Sequence, residues 1–269
     1  EPGVGILQTN PNIINGHSLF ARVQQFANRF YSTLFASGLA AIQMGDAAFW
    51  GHNAIMRVAA FRTAAKLPVL AGPAPFGGPM LSHDFIEAAW IKRAGWGVEL
   101  DPDVSGSAED APQTFNDFFK RDRRWCQGNL QHLRVLAEPG LHPLSRLHLM
   151  LGIFSYFAAP IWLFFVGVVS VKALAIAGVL PFVLVVITLL IPKLCALYEA
   201  MLRAKTFPRR RVVIRAWLAE MGLSTLLAPI IMMRQTAAVC SVLMGRDCGW
   251  KTTCKPVFQM GLGHAEALA

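Results

Sequence analysis

The chain has 269 residues, 54% hydrophobic and only 15% charged, with a mean hydropathy of +0.44. Soluble domains carry about 25% charge, so neither a small soluble enzyme nor a disordered chain fits. Lys and Arg number 25 against 16 Asp and Glu, a net charge of +9, which calls for an anionic partner such as phosphate, nucleic acid or lipid headgroups.

The placement of charge narrows that choice. One basic cluster is Lys120, Arg121, Arg123 and Arg124, and another is Arg203, Lys205, Arg209, Arg210, Arg211 and Arg215 beside a hydrophobic segment. The second favours the cytoplasmic surface of a membrane over nucleic acid. Residues 1–146 have the charge scatter of a water-facing domain, 147–200 read as lipid-soluble helices, and 201–269 form a basic, mixed segment. Five cysteines (Cys126, Cys195, Cys240, Cys248 and Cys254) without a CxxC argue against a disulfide framework, and their spacing with His264 fits no zinc pattern. The chain starts at Glu1, and its first apolar stretch is broken by Gln, Asn and Pro. It is therefore expected to carry no signal peptide and reads as a piece of a longer polypeptide.

In chain order, Val4–Gln8 is a short apolar run that predicts a buried strand ending at Thr9, Asn10 and Pro11. Residues 18–36 have helical spacing, with Leu19, Val23, Phe26, Phe30 and Leu34 on one stripe. WGHNAIMR at 50–57 reads as a strand or turn, and 59–66 as a short helix. Residues 68–80 contain four Pro and three Gly and form a loop. Ser82 predicts an N-cap for a helix from His83 to Arg93, which Gly95 ends. Trp96–Leu100 is a strand and 101–112 an acidic loop. Thr114, with Asp117 three residues on, caps a long helix expected to run to about Ala137 and to stop at Pro139-Gly140. Alternating strands and helices predict an α/β domain.

Between Arg146 and Lys172 lie 25 residues without Lys, Arg, Asp or Glu, and between Lys172 and Lys193 another 20. Each can cross a hydrocarbon core of about 30 Å, so 147–200 predict a transmembrane hairpin with Lys172 at its outer turn. The longest uncharged run in 212–244, Met221–Met233, has 13 residues. That length suits an interfacial or re-entrant helix, with a third crossing as the alternative.

Two clusters carry chemistry. Asp84 sits at the start of a helix after a Gly/Pro loop, where the helix dipole favours an anion and a carboxylate can serve as a general base. Arg121 meets Arg124 and Trp125 at i+3 and i+4, which places two guanidinium groups and an indole on one face. Arginine suits pyrophosphate, and the indole suits the C–H surface of a sugar ring.

The order of these motifs resembles that of processive inverting glycosyltransferases of family 2, which include cellulose synthase. Those enzymes carry Thr-Glu-Asp, then Gln-x-x-Arg-Trp, then membrane helices. The strings WGHNAIMR at 50–57, LSHDFIEAA at 81–89, RAGWGVEL at 93–100 and KRDRRWCQGNL at 120–130 are most similar to the branch of the family that builds the β-1,2-linked backbone of osmoregulated periplasmic glucans. The resemblance covers essentially the whole chain.

The resemblance implies a partial GT-A type α/β glycosyltransferase domain followed by transmembrane and interfacial α-helices. Asp84 takes the place of the Asp that deprotonates the acceptor hydroxyl, with Ser82 and His83 in place of Thr and Glu. Arg124 and Trp125 match the Arg-Trp pair, and Arg121 stands where Gln is usual. His83, Arg121, Arg124 and Trp125 are therefore expected at the substrates. Trp250-Lys251-Thr252-Thr253-Cys254-Lys255 aligns with the gating loop Phe-x-Val-Thr-x-Lys, matching at Thr253 and Lys255. The family's uridine-binding Asp and metal-binding Asp-x-Asp precede the strand that here is Leu7-Gln8-Thr9. Asp101-Pro102-Asp103 follows the base helix, in the wrong order. The expected cofactor is a divalent metal, Mg or Mn, with most of its ligands outside this chain. The expected reaction is transfer of glucose from UDP-glucose to a growing glucan at the bacterial inner membrane, with the catalytic domain cytoplasmic. The chain by itself, lacking the donor half, is expected to be inactive. Further partners are the lipid bilayer and periplasmic glucan-processing proteins. The alternatives are another β-glucan synthase of the family, or a non-catalytic membrane scaffold or export subunit.

Overall fold

The computed structural model describes residues 1–64, 66–171, 180–204 and 206–249. Lys172, Lys205 and the gating-loop alignment at Thr253 and Lys255 fall outside the described residues.

The α/β part is built on a three-stranded sheet. Strand β1 (Val4–Thr9) lies between β3 (Ala54–Met56), which is antiparallel to it, and β4 (Gly97–Asp101), which is parallel. A small second sheet pairs β2 (Asn12–Ile14) with β5 (Ala108–Asp110) in parallel, so Asn10-Pro11 is only a joint between strands, and the acidic loop at 101–112 contains a strand. Three-residue strands are too short to show an alternating pattern, which is why the sequence hides them.

Helix α1 (Leu19–Gln43) is capped by Ser18, whose side chain accepts from the Ala21 amide, and it runs seven residues beyond the expected 18–36 segment. Its predicted stripe is not a core stripe: Leu19 is exposed and Leu34 borders on it, and only Ala21, Ala36 and Gln43 are buried. Helix α2 (Val58–Ala64) and helix α3 (His83–Arg93) cover the sheet. Ile6, Ala60, Ile86, Trp90, Ile91 and Val98 form the centre of that core. At about 25 cal/mol per Å², such apolar burial is the main stabilising contribution.

Helix α4 (Phe115–Gln131) begins as expected, with Thr114 Oγ1 accepting from the Asp117 amide. It ends six residues before Ala137, tightening into a 3-10 turn at His132–Arg134. There the His132 ring turns inward to the Ser82 carbonyl, 2.9 Å away.

Among the described residues three helices are long and apolar enough to cross a membrane: α5 (Pro143–Val171), α6 (Leu180–Arg203) and α7 (Phe207–Leu243). The first two occupy the stretches expected to form the hairpin, whose turn lies outside the described residues. The third corrects the reading of 201–269: Pro229 does not interrupt it, and α7 continues for 37 residues, absorbing most of the basic loop. A proline costs a helix one backbone hydrogen bond, which a long, packed helix can tolerate. In its first half, buried Glu220 accepts from Tyr31 of α1 at 2.6 Å and pairs with Lys193 of α6 at 2.9 Å. Near its end, Val239 and Val242 pack against Cys126 and Leu130 of α4 and Ile153 and Tyr156 of α5. Helix α7 therefore touches the α/β part toward both ends.

Buried Asp46 fastens α5 to the sheet. Its carboxylate accepts from His142 Nδ1 at 2.6 Å and from Ser145 Oγ at 3.1 Å. Asp46→Ala removes both bonds and leaves two donors without an acceptor. The expected cost is about 2–3 kcal/mol, read as a lowered thermal unfolding midpoint of the detergent-solubilised protein.

Candidate active site

A cleft of about 910 Å³ opens between the α/β part and the membrane helices. It runs from Asp84 and Trp125, past Asn28 and Leu39 of α1, to Ser155 of α5 and Cys195 of α6. The cleft gathers two of the residues singled out in the sequence, Asp84 from the start of α3 and Trp125 from the middle of α4.

Their approach depends on close backbone packing. A Cβ on Gly128 would overlap Ser82 Oγ and stand 2.5 Å from the Ser82 amide nitrogen. The Leu81 amide donates to Gln131 Oε1 at 3.0 Å, and the His132 ring holds the Ser82 carbonyl. Helix α4 thus clamps the residues that lead into α3. Ser82 occupies the N-cap position as expected but makes no capping bond, because its side chain is pressed against α4 instead.

Asp84 is set under the loop between α1 and β3, which the buried Gln8 of β1 holds. Gln8 Oε1 accepts from the Trp50 amide at 2.6 Å, pegging Trp50 and Gly51 over the carboxylate. Gly51 has φ +86, and a Cβ there would lie 3.1 Å from Asp84 Oδ2. Only glycine takes that backbone freely, and its bare α-carbon leaves the carboxylate room. Burial raises the Asp84 pKa above the ordinary carboxylate value, opposed by its backbone hydrogen bond and the nearby His83 and His52. A raised pKa strengthens a base.

Trp125 keeps an exposed indole face, with the Arg121 guanidinium stacked 4.6 Å from its ring centroid. Burial lowers the Arg121 pKa, and Glu109 counters it. Arginine nevertheless stays charged. Arg121, Arg124 and His83 do not line the cleft. His83 Nδ1 lies 3.1 Å from Glu87 Oε1 one helical turn on, and that hydrogen bond raises the His83 pKa.

Trp50, His52 and Glu109 line the cleft as well, and none was expected there from its own sequence position. His52 Nδ1 is 3.4 Å from Glu109 Oε2, linking the loop before β3 to β5. The WGHNAIMR string contained the signal for Trp50 and His52; Glu109 was hidden in the unrecognised strand. Asp101 Oδ1 accepts from the Asp103 amide at 2.9 Å in a local turn. Among the described residues no three His, Cys, Asp or Glu side chains converge to hold a metal.

A family profile for glycosyl transferase family group 2 matches residues 1–198. The chain belongs to this family. It is 43% identical over 277 residues to glucans biosynthesis glucosyltransferase H of Vibrio cholerae, covering 93% of this chain and 38% of that protein. Proteins of the same name from Rhodopseudomonas palustris and Xanthomonas campestris are each 42% identical, over 275 and 276 residues. Those two alignments cover 92% and 93% of this chain and 38% and 43% of the relatives. The chain thus spans well under half the length of these relatives.

Gly128→Ala is expected to destabilise the protein by about 1–3 kcal/mol, because the methyl group meets Ser82 backbone and cannot be accommodated by a side-chain shift. Thermal unfolding measures it; an unchanged midpoint would mean that α3 and α4 do not meet as described.

Proposed function

We propose that this chain forms the acceptor side of an inverting glucosyltransferase that transfers glucose from UDP-glucose to a growing β-1,2-glucan of the osmoregulated periplasmic type. The observation that carries the reading is the shared cleft of Asp84 and Trp125, which continues to α5 and α6. Family membership and the similarity to the relatives supply the substrate class.

In this reading the terminal sugar of the glucan lies on the Trp125 indole. The Asp84 carboxylate takes the proton of the acceptor hydroxyl as its oxygen attacks the anomeric carbon of UDP-glucose. A new C–O bond forms with inversion, the bond to the β-phosphate oxygen breaks, UDP departs, and the proton stays on Asp84. Arg124 stabilises the departing pyrophosphate, and Arg121 holds the Trp125 ring. A divalent cation, Mg or Mn, supplies further charge stabilisation to UDP in this family's chemistry. The described residues do not form a set that holds it, so its ligands are assigned to the donor side. His83, paired with Glu87, tunes the electrostatics next to Asp84 and makes no direct sugar contact.

The α/β part lies at the cytoplasmic face of the inner membrane, where the arginines at 209–211 also belong. Helices α5 and α6 cross the bilayer. Helix α7, long and apolar enough for a third crossing, stays joined to the domain through its contacts with α1 and α4. The glucan leaves between α1, α5 and α6 toward the periplasm, where glucan-processing proteins take it up.

Asp84→Asn in the full-length enzyme is expected to lower glucosyl transfer at least about 10²-fold, with folding preserved. In the unsubstituted enzyme the acid limb of the pH–rate profile should lie above the range of an ordinary aspartate, because activity needs the carboxylate and burial favours its protonated form. Near-normal glucan synthesis by the variant would remove Asp84 from the mechanism.

A further inference from the structure

The back wall of the cleft holds polar atoms that proton removal and stacking on Trp125 leave unused. Ser82 and Asn129 both line the cleft at 3% and 7% exposure. Ser82 Oγ, Asn129 Oδ1 and the neighbouring His132 Nδ1 are buried and have no hydrogen-bond partner among the described residues. Leaving such atoms dry is unfavourable, so a group of them points to something that binds there.

The chemistry they need can be read from their partners. His132 Nε2 faces the Ser82 carbonyl at 2.9 Å, so it carries the proton and donates. Burial pushes the His132 pKa down to about 4, which leaves the ring neutral and Nδ1 a bare acceptor. Asn129 Nδ2 donates to the Trp125 carbonyl at 2.9 Å, which turns Oδ1 away from the helix as a second acceptor. Both acceptors gather around Gly152 of α5. A Cβ there would overlap Asn129 Oδ1 and stand 4.0 Å from His132 Nδ1. The niche therefore calls for a hydrogen-bond donor; the Ser82 hydroxyl, which can donate or accept, lies against Gly128 on the same cleft lining.

Asn129 is one helical turn beyond Trp125, so the two share a face of α4. A ring stacked on the indole brings its edge, where its hydroxyls are, toward Asn129. We propose that Asn129 Oδ1 and Ser82 Oγ form a hydroxyl-binding subsite for the terminal sugar of the acceptor, in a niche kept open by Gly152 and backed by His132. The inference rests on the glucosyl-transfer reading and deepens it. It assigns the orientation of the acceptor ring to the wall of the cleft, so that one hydroxyl meets the base while a neighbouring hydroxyl is held by Asn129.

The test uses the full-length membrane enzyme with labelled UDP-glucose, measuring both transfer into glucan and release of free glucose to water. Ser82→Ala, Asn129→Ala and Gly152→Ala are compared with the parent. Ser82→Ala removes a hydroxyl that has no partner among the described residues, so its fold should not suffer. Losing one such contact should lower the transfer-to-hydrolysis ratio about tenfold, because water does not use the sugar subsite. A ratio unchanged in all three variants would leave the niche to a structural water and overturn the proposal. A parallel fall of both activities would assign these residues to folding alone and also overturn it. Asp84→Asn separates the two ideas: if that variant loses nothing while the ratio still falls in the others, the base assignment fails and the subsite stands.

Discussion

Where α3 begins, its backbone is pressed against α4 so closely that only a glycine fits between them. Gly128 touches Ser82, Gln131 holds the Leu81 amide, and His132 holds the Ser82 carbonyl. Close-packed contacts of this kind have little room to relax. The rest of the site follows from that crossing. Asp84 is two residues beyond Ser82 and Trp125 three residues before Gly128, so fixing one pair of backbones fixes the carboxylate and the indole relative to each other. Catalysis by positioning depends on such rigidity, since a displacement of about 1 Å can cost about 10²-fold in rate.

A second set of contacts joins the site to the membrane part. Asp46 binds the first turn of α5, and Glu220 of α7 gathers Tyr31 of α1 and Lys193 of α6. A buried carboxylate without a partner would be strongly unfavourable, so these pairs specify which helix meets which. The exposed apolar residues Phe35, Leu39 and Ile42 at the far end of α1 lie on the cleft beside Pro192 and Cys195 of α6. The water-facing domain and the lipid-soluble helices thus share one continuous wall. The cleft that begins at Asp84 continues along that wall to α5 and α6.

Much of this organisation was legible in the sequence where the signals were long or chemically distinctive. The helix at His83–Arg93, the Thr114 cap and the two uncharged stretches of the hairpin are such signals. The short strands β2 and β5 were not legible, and Glu109 was lost with them. Residues 18–36 were readable as a helix, but the burial of its stripe was not. Periodicity reports an apolar face, and cannot say whether protein or lipid covers it. The continuity of α7 was missed because charge and proline were weighed locally, whereas Glu220 is satisfied by α1 and α6 from elsewhere in the chain. Gly51, Gly128 and Gly152 gave no sign of their importance, since a glycine's role in close approach depends on what lies opposite it.

The central claim is that the cleft is the path of the growing glucan. Cys195 is a free cysteine that lines it on α6, far along the chain from Asp84 and Trp125. In the full-length enzyme with every other cysteine replaced, a bulky maleimide on Cys195 should block glucan elongation while release of free glucose from UDP-glucose continues. Undiminished elongation by fully labelled enzyme would contradict the account.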